Sequence, residues 1–398
     1  MNSPPDSATI RVIIQQYNLF RYRIPVYQEL TKRPGIELKV LYANTGQTGM
    51  AEPDRFDATI TPTRTLRLGR HTFFWHSAQW KSVSPKVADV VILSWDLHYL
   101  SLLPSLLKAR LRGVPTILWG HGYSKNERGW RRTMRNAVAR LATAVLFYED
   151  VTAQRFIDEG WPKDRVHVAL NSLDLKPIQA ARESWTATPD RLDAFKRQHG
   201  LEEGPVILFV SRFREDNRTD MLIEAASRLR EDFPSLRVVL IGDGPDRERL
   251  VSFARDGGVE KHVVFAGAIF DEQEIAPWFL SSDVFCYPVN IGLSILHAFG
   301  YGIPVVTSDR REAQNPEIIA LESGVNGMVY EHGKIDSMVE VLRNLLAHPD
   351  RCAEMGREAR RTVEERFNTE SMVDGMEGAI RYAYAAASRG RPRGSTAE

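Results

Sequence analysis

Short apolar runs alternate with segments of helical spacing along almost the whole chain, and this alternation limits the possible folds more than any other feature. In the first half the runs are IRVIIQQ from Ile10, ELKVLYA from Glu37, DVVILSW from Asp89, PTILWG from Pro115 and AVLFY from Ala144. In the second half they are GPVILFVS from Gly204, LRVVLIGDG from Leu236, HVVFAG from His262, DVFCYP from Asp283 and PVVTSD from Pro304. These runs are apolar at consecutive positions rather than at every second one, the pattern of strands covered on both faces in a parallel sheet. Helical spacing fills the gaps, for example from Pro25 to Thr31 and from Leu100 to Arg112. Each half therefore predicts a doubly wound, Rossmann-like α/β domain, and 398 residues are enough for two.

The expected organisation is an N-terminal domain over 1–180, a linker over 181–200, a C-terminal domain over 201–370, a helix over 371–388 that packs back towards the first domain, and a disordered tail over 389–398. The linker, with one short helix, is expected because Lys176 to Gly200 is polar and holds Pro177 and Pro189. The tail is too polar and too rich in Gly and Pro to pack. Two such domains facing each other predict a cleft at the carboxyl ends of both sheets, where helix N-termini offer unpaired N–H groups to phosphate.

Net charge is only +1, but residues 1–180 carry +10 and residues 181–398 carry −9. A basic half and an acidic half support the two-domain reading. Two cysteines, Cys286 and Cys352, supply neither a disulfide framework nor a multi-thiolate metal site. The start lacks a secretion signal, and no apolar stretch approaches the roughly 20 residues of a membrane span. A cytoplasmic protein follows, with any membrane contact peripheral at the inner face.

The most informative stretch is ILFVSRFREDNRTDMLIEAASRL from Ile207 to Leu229. A buried strand leads into a loop carrying Arg212, Arg214 and Arg218, then into a helix whose Leu222, Ile223, Ala226 and Leu229 share one face. Arginine's planar fork suits phosphate oxygens, so a diphosphate is the expected ligand. IGDGPDRERL from Ile241, VVFAGAI from Val263, SSDVFCYP from Ser281, IGLSILHAFGYGIPVVTSD from Ile291 and NPEIIALESGVNGMVYEHG from Asn315 follow in order. These segments resemble the donor domain of family 4 glycosyltransferases of the GT-B fold, whose motifs run G-R-(x)n-K-G, G-x-G-p-x-x-x-x-L, v-x-F-x-G-x-v, a-D-v-f-v-x-P and G-f-G-l-x-x-l-E-A.

The resemblance implies transfer of a sugar from a nucleotide-diphosphate donor to an acceptor hydroxyl, with retention, without a metal or other cofactor, in polysaccharide or glycolipid synthesis. It assigns Arg212, helped by Arg218, to the leaving diphosphate. The glycine-rich loop Asn290, Ile291, Gly292, Leu293 and Ser294 would add backbone amides. Gly244, Gly267, Ala268 and Ile269 would border the donor, and His297 would hold the ribose. Two departures touch this site: Asn217 stands at the family's diphosphate lysine, and Val289 and His297 stand at its paired glutamates.

The first half matches the family more loosely. WGHGYS from Trp119 places His121 where the family has an active-site histidine, and VALNSLD from Val168 resembles its interdomain segment. Arg21 and Arg23, after the first strand, are candidates for the acceptor or the diphosphate. Tyr123 to Leu141 carries Lys125, Arg128, Arg131, Arg132, Arg135 and Arg140 against Glu127 alone, with Trp130, Met134, Val138 and Leu141 on one helical face. With RTLRLGRHTFFW from Arg64, it suits a lobe meeting a carbohydrate or lipid-linked acceptor at an anionic membrane. No pattern supports nucleic-acid binding. A catalytically inactive nucleotide-sugar-binding protein, a sugar-nucleotide epimerase and a dinucleotide oxidoreductase remain alternatives.

Overall fold

The computed structural model describes residues 9–43, 54–69, 71–123 and 129–390. The chain divides into two compact units, one made of Met1–Leu170 with Thr369–Glu398 and the other of Asn171–Asn368. In the first, strands β1 (Ile10–Gln16), β2 (Ile36–Tyr42), β3 (Asp57–Ile60), β4 (Thr63–Leu68), β5 (His71–His76), β6 (Val90–Ser94), β7 (Thr116–Gly120), β8 (Ala144–Phe147) and β9 (Val166–Val168) are interspersed with helices α1 (Ile24–Leu30), α2 (Ser77–Ser82), α3 (Leu102–Arg112), α4 (Gly129–Ala139) and α5 (Asp150–Asp158). Seven strands form one parallel sheet in the order β3-β2-β1-β6-β7-β8-β9, and β4 and β5 pair separately as an antiparallel hairpin.

The second unit begins with α6 (Leu175–Thr186) and α7 (Pro189–His199). Its sheet holds β10 (Val206–Val210), β11 (Arg237–Ile241), β12 (Val263–Gly267), β13 (Val284–Cys286), β14 (Val305–Ser308) and β15 (Gly327–Tyr330) in the parallel order β12-β11-β10-β13-β14-β15. Helices α8 (Asp220–Leu229), α9 (Arg247–Asp256), α10 (Glu272–Leu280), α11 (Ser294–Tyr301), α12 (Ile335–Leu346) and α13 (Pro349–Glu365) accompany it. Strand order reverses between β10 and β13, and between β1 and β6 in the first unit.

The last helix, α14 (Thr369–Gly390), belongs to the first unit. It lays Met372, Val373, Met376, Ala379, Ile380 and Ala383 on the apolar face of the sheet and α1. Gly375 allows this approach, since a Cβ there would lie 2.0 Å from the Val168 carbonyl oxygen. The opposite face of the sheet is covered by α2, α3 and α5, with Leu102, Leu106 and Phe156 inward.

Three boundaries differ from those expected. The first unit ends at Leu170, ten residues before the expected 180. The stretch expected as a linker over 181–200 is helical, completing α6 and forming α7, because Ile178, Ala181 and Trp185 bury one face of α6. At the other end, Arg389 and Gly390 extend α14 into the expected tail, and the rest of that tail lies outside the described residues. Among the described residues no helix is long and apolar enough to cross a membrane.

If α14 is integral to the first unit, Ile380→Ala should lower that unit's unfolding free energy by about 2–5 kcal/mol. A urea titration followed by circular dichroism would read the change, and an unaltered midpoint would show that the helix is dispensable.

Candidate functional site

In the second unit, the loop after β10 and the loop after β13 leave the sheet at its switch point, where open α/β sheets take ligands. The course of the first is set by close backbone packing against the loop after β11. A Cβ on Gly242 would fall 1.9 Å from the Ser211 carbonyl oxygen, and one on Gly244 would fall 2.3 Å from that of Phe213. The Phe213 N–H donates to the Asp243 carbonyl at 2.9 Å, and the Phe213 ring is fully buried beneath the loop.

Side-chain amides then tie the loops. Asn217 Nδ2 donates to the Arg212 carbonyl at 2.7 Å, and Asn290 Nδ2 lies 3.5 Å from Asn217 Oδ1. Asn315 Nδ2 donates to the Asn290 carbonyl at 3.0 Å, while the Ile291 N–H donates to Gln314 Oε1 at 2.8 Å. Gln314 is buried and uses its Nε2 on Thr307 and Ser308. The Tyr287 hydroxyl donates to Ser211 Oγ at 3.0 Å, and burial pushes that phenol up to about 12.

Among the three loop arginines the charge is unequally committed. Arg214 pairs with Asp216 at 3.2 Å and Arg218 with Asp220 at 3.2 Å. The exposed Arg212 guanidinium has neither an ion-pair nor a hydrogen-bond partner among the described residues. All three line a cavity of about 740 Å³ with Glu215, Asp216 and Pro245. Across the switch point, the N–H groups of Gly292, Leu293 and Ser294 at the start of α11 likewise have no partner among the described residues. A guanidinium without a partner and amides without a partner at a helix N-terminus are each of the chemistry that binds phosphate oxygens.

Two expected donor contacts take other roles. Asn217 is buried, and its amide is spent on the Arg212 carbonyl, so it shapes the loop. Gly244 serves close packing, and its N–H donates to the carboxylate of Asp243 at 2.8 Å. Gly267 adopts a positive φ of 77° with open space where a Cβ would stand, and Ala268 beyond it is exposed.

His297 has a partner that sequence reading missed. Its Nε2 lies 2.8 Å from Glu272 Oε1, and the Tyr301 hydroxyl donates to the same oxygen at 2.5 Å. Burial acts to raise the Glu272 carboxyl, but the bond and charge of His297 and the Tyr301 hydroxyl outweigh it and hold Glu272 below its ordinary value. Glu272 opens α10, whose first N–H groups are capped by Asp271 at 2.8 and 3.2 Å. The one sequence signal for it was D-E at a helix start, which announces a cap rather than a partner 25 residues away.

In the first unit, His121 follows β7 and is exposed, with its ring 4.9 Å from that of Tyr148. Arg23 reaches the same aromatic group but is only 5% exposed, its guanidinium 4.9 Å from the Trp119 ring and 5.2 Å from that of Tyr148. Its cation is therefore packed rather than presented, whereas Arg21 is exposed. In α4, Trp130 and Met134 are exposed and Arg135 is buried; Ser124, Lys125, Glu127 and Arg128 lie outside the described residues. The hairpin of β4 and β5 shelters a cavity of about 620 Å³ lined by Tyr17, Thr61, Thr63, Arg67 and Phe74 among others.

Comparison with known proteins agrees with the fold. Residues 192–362 match the family model described as glycosyl transferases group 1. A GDP-mannose-dependent alpha-(1-6)-phosphatidylinositol monomannoside mannosyltransferase of Mycolicibacterium smegmatis is 30% identical over 268 residues, 64% of this chain and 66% of that protein, slightly under two thirds of its length. A glycosyltransferase from Rickettsia africae superposes with a TM-score of 0.72 at 14% identity, over 96% of this chain and 100% of that one. Anabaena Alr3699/HepE, solved in complex with UDP, gives 0.69 at 16% identity over 94% and 99%.

The Glu272 carboxylate is held below its ordinary 4.5, so the stability it lends is present above that pH and is lost as pH falls through its lowered value. Glu272→Gln should therefore melt lower than wild type near neutrality, with the gap closing on acidification below 4.5. Thermal melts across that range check this, and a gap independent of pH would contradict the pairing.

Proposed function

We propose that the chain is a family 4 glycosyltransferase of the GT-B fold, a reading supported by the family model over residues 192–362 and by the mannosyltransferase it resembles, and that it moves a sugar from a nucleoside diphosphate donor to an acceptor hydroxyl, with retention of anomeric configuration and without a divalent metal. The observation that carries this reading is the uncommitted Arg212 guanidinium facing a cavity while its neighbours Arg214 and Arg218 are paired.

Negative charge gathers on the leaving diphosphate as the glycosidic bond breaks. Arg212 and the amides of Gly292, Leu293 and Ser294 meet that charge with groups already fixed in place, the arrangement worth most in a transition state. Arg218, tied to Asp220, tunes the field of the cavity rather than contacting phosphate directly. The departing phosphate oxygen takes the acceptor proton, so no carboxylate base is required. Gly267, Ala268 and Ile269 border the base, and Glu272 with His297 receives the ribose hydroxyls. His121 of the first unit is the proposed polar catalytic group.

For the acceptor we infer a carbohydrate or lipid-linked hydroxyl. The cavity beneath the β4–β5 hairpin joins aromatic faces to threonine hydroxyls, the chemistry that holds sugars. The similar mycobacterial protein acts, as its name states, on a phosphatidylinositol mannoside. The basic first unit is read as meeting an anionic membrane from the cytoplasmic side, where the second unit's buried free thiols Cys286 and Cys352 would remain reduced.

Val289 and His297, where the family has glutamates, favour one rival, a nucleotide-sugar-binding protein without turnover. Donor hydrolysis or transfer to any acceptor rejects it. A thermal-shift panel that includes GDP-mannose and UDP-glucose identifies the donor, since a ligand bound only by the native state raises its melting temperature. With that donor, Arg212→Ala should lower turnover at least about a hundredfold; turnover close to wild type would remove Arg212 from the mechanism. His297→Ala should weaken donor binding in calorimetry, and unchanged affinity would contradict the ribose assignment.

A further inference from the structure

We infer that the face formed by the β4–β5 hairpin, α2 and α3 is a docking surface for an anionic lipid bilayer. This deepens the reading of a lipid-linked acceptor, but its evidence is separate from the donor site. The inner side of α3 is complete: Leu102, Leu106 and Ala109 are buried in the core. Its outer side nevertheless carries Leu103, Leu107 and Leu111 at steps of four residues, 44%, 47% and 88% exposed. Residues so spaced lie one above another, forming a leucine ridge turned to solvent.

The ridge continues at both flanks. Leu100, also exposed, donates its N–H to the Phe74 carbonyl at 2.8 Å, and the Phe74 N–H donates to His98 at 2.8 Å, stitching β5 to the start of α3. The hairpin beyond shows Leu66 and Leu68 to solvent. On the other side stands Trp80 of α2, exposed, with the Lys108 ammonium 4.4 Å from its ring centroid. An outward apolar patch of this extent marks an interaction surface rather than chance exposure.

Charge selects the partner. Between Ala58 and Asn126 the sequence has two acidic residues, Asp89 and Asp96. Asp89 is clamped by the Arg11 guanidinium at 2.9 and 3.0 Å, and Asp96 faces the His98 ring at 2.7 Å. The leucines are flanked instead by Arg64, Arg67, Lys81, Lys108, Arg110 and Arg112. A protein–protein interface loses charge, lysine above all, at its apolar centre. Leucine and tryptophan interleaved with basic side chains on apolar stems is the composition of a surface that seats in headgroups.

The test is sedimentation of the full chain with phosphatidylglycerol/phosphatidylcholine vesicles, alongside size-exclusion with light scattering. Wild type should bind these vesicles, bind more weakly as salt rises, and bind pure phosphatidylcholine poorly. Leu103→Glu with Leu107→Glu should lose at least about tenfold in partitioning, and Arg110→Glu with Arg112→Glu a similar factor on anionic vesicles only. The variants should keep wild-type melts and nucleotide affinity. Because both native cysteines are buried, Leu107→Cys carrying a polarity-sensitive fluorophore should shift to the blue on anionic vesicles even if the charged variants prove unstable. Absent vesicle binding, leucine variants that bind like wild type, or a wild-type dimer dissolved by the same substitutions would overturn the proposal, the last by making a second copy the occupant. Failure here leaves transfer to a soluble acceptor intact, whereas failure of the glycosyltransferase reading leaves vesicle binding intact.

Discussion

The geometry of the candidate site depends on one steric fact: the loops after β10 and β11 run against each other so closely that neither Gly242 nor Gly244 could carry a side chain. That contact fixes the backbone from Ser211 to Phe213, and therefore where Arg212 leaves it. The buried amides of Asn217 and Gln314 and the half-buried amide of Asn315 continue the work by satisfying backbone groups of the loops. Leaving any one such group unpaired costs about 1–3 kcal/mol. An exposed arginine is usually a flexible one; here its root is rigid, and only the guanidinium is left to be organised by a ligand.

Two residues near this contact adopt backbone conformations that side chains seldom take. Arg218 has a φ of 53° and Asn290 a φ of 72°. Both stand where the family pattern has glycine, in K-G and in G-f-G. Arginine in the left-handed region costs about 1–2 kcal/mol relative to glycine, while asparagine tolerates it better. Arg218 gains a bidentate approach to Asp220 that glycine could not make, and Asn290 gains a side chain within reach of Asn217.

How much of this was legible in the sequence follows from what each element buries. Strands of the two parallel sheets read clearly because both faces are covered and apolar residues run on consecutively. The β4–β5 hairpin did not, since Thr, Arg and Leu alternate on a ribbon exposed on both sides. The segment over 181–200 looked like a linker because α6 turns only one narrow face inward and α7 buries none of its residues. At the site, Arg212 was legible from a strand-loop-helix pattern contained within a few residues. Glu272 and Gln314 were not, because each meets its partner across more than 20 residues of chain, and local spacing says nothing about contacts made through tertiary structure.

The Glu272–His297 pair also gives the glutamate missing from position 297 a physical reading. If α11 carried a glutamate at 297, two carboxylates would stand within hydrogen-bonding distance in a half-buried place, and one would be forced to take a proton. A histidine at 297 turns that repulsion into a bond and keeps Glu272 ionised. The negative group that a sugar hydroxyl would donate to is therefore not absent from this part of the unit. A carboxylate stands in the first turn of α10, where the helix N-terminus favours negative charge. Residues 272 and 297 are consequently coupled: His297 lets Glu272 stay ionised, whereas a second carboxyl at that distance would have to be protonated.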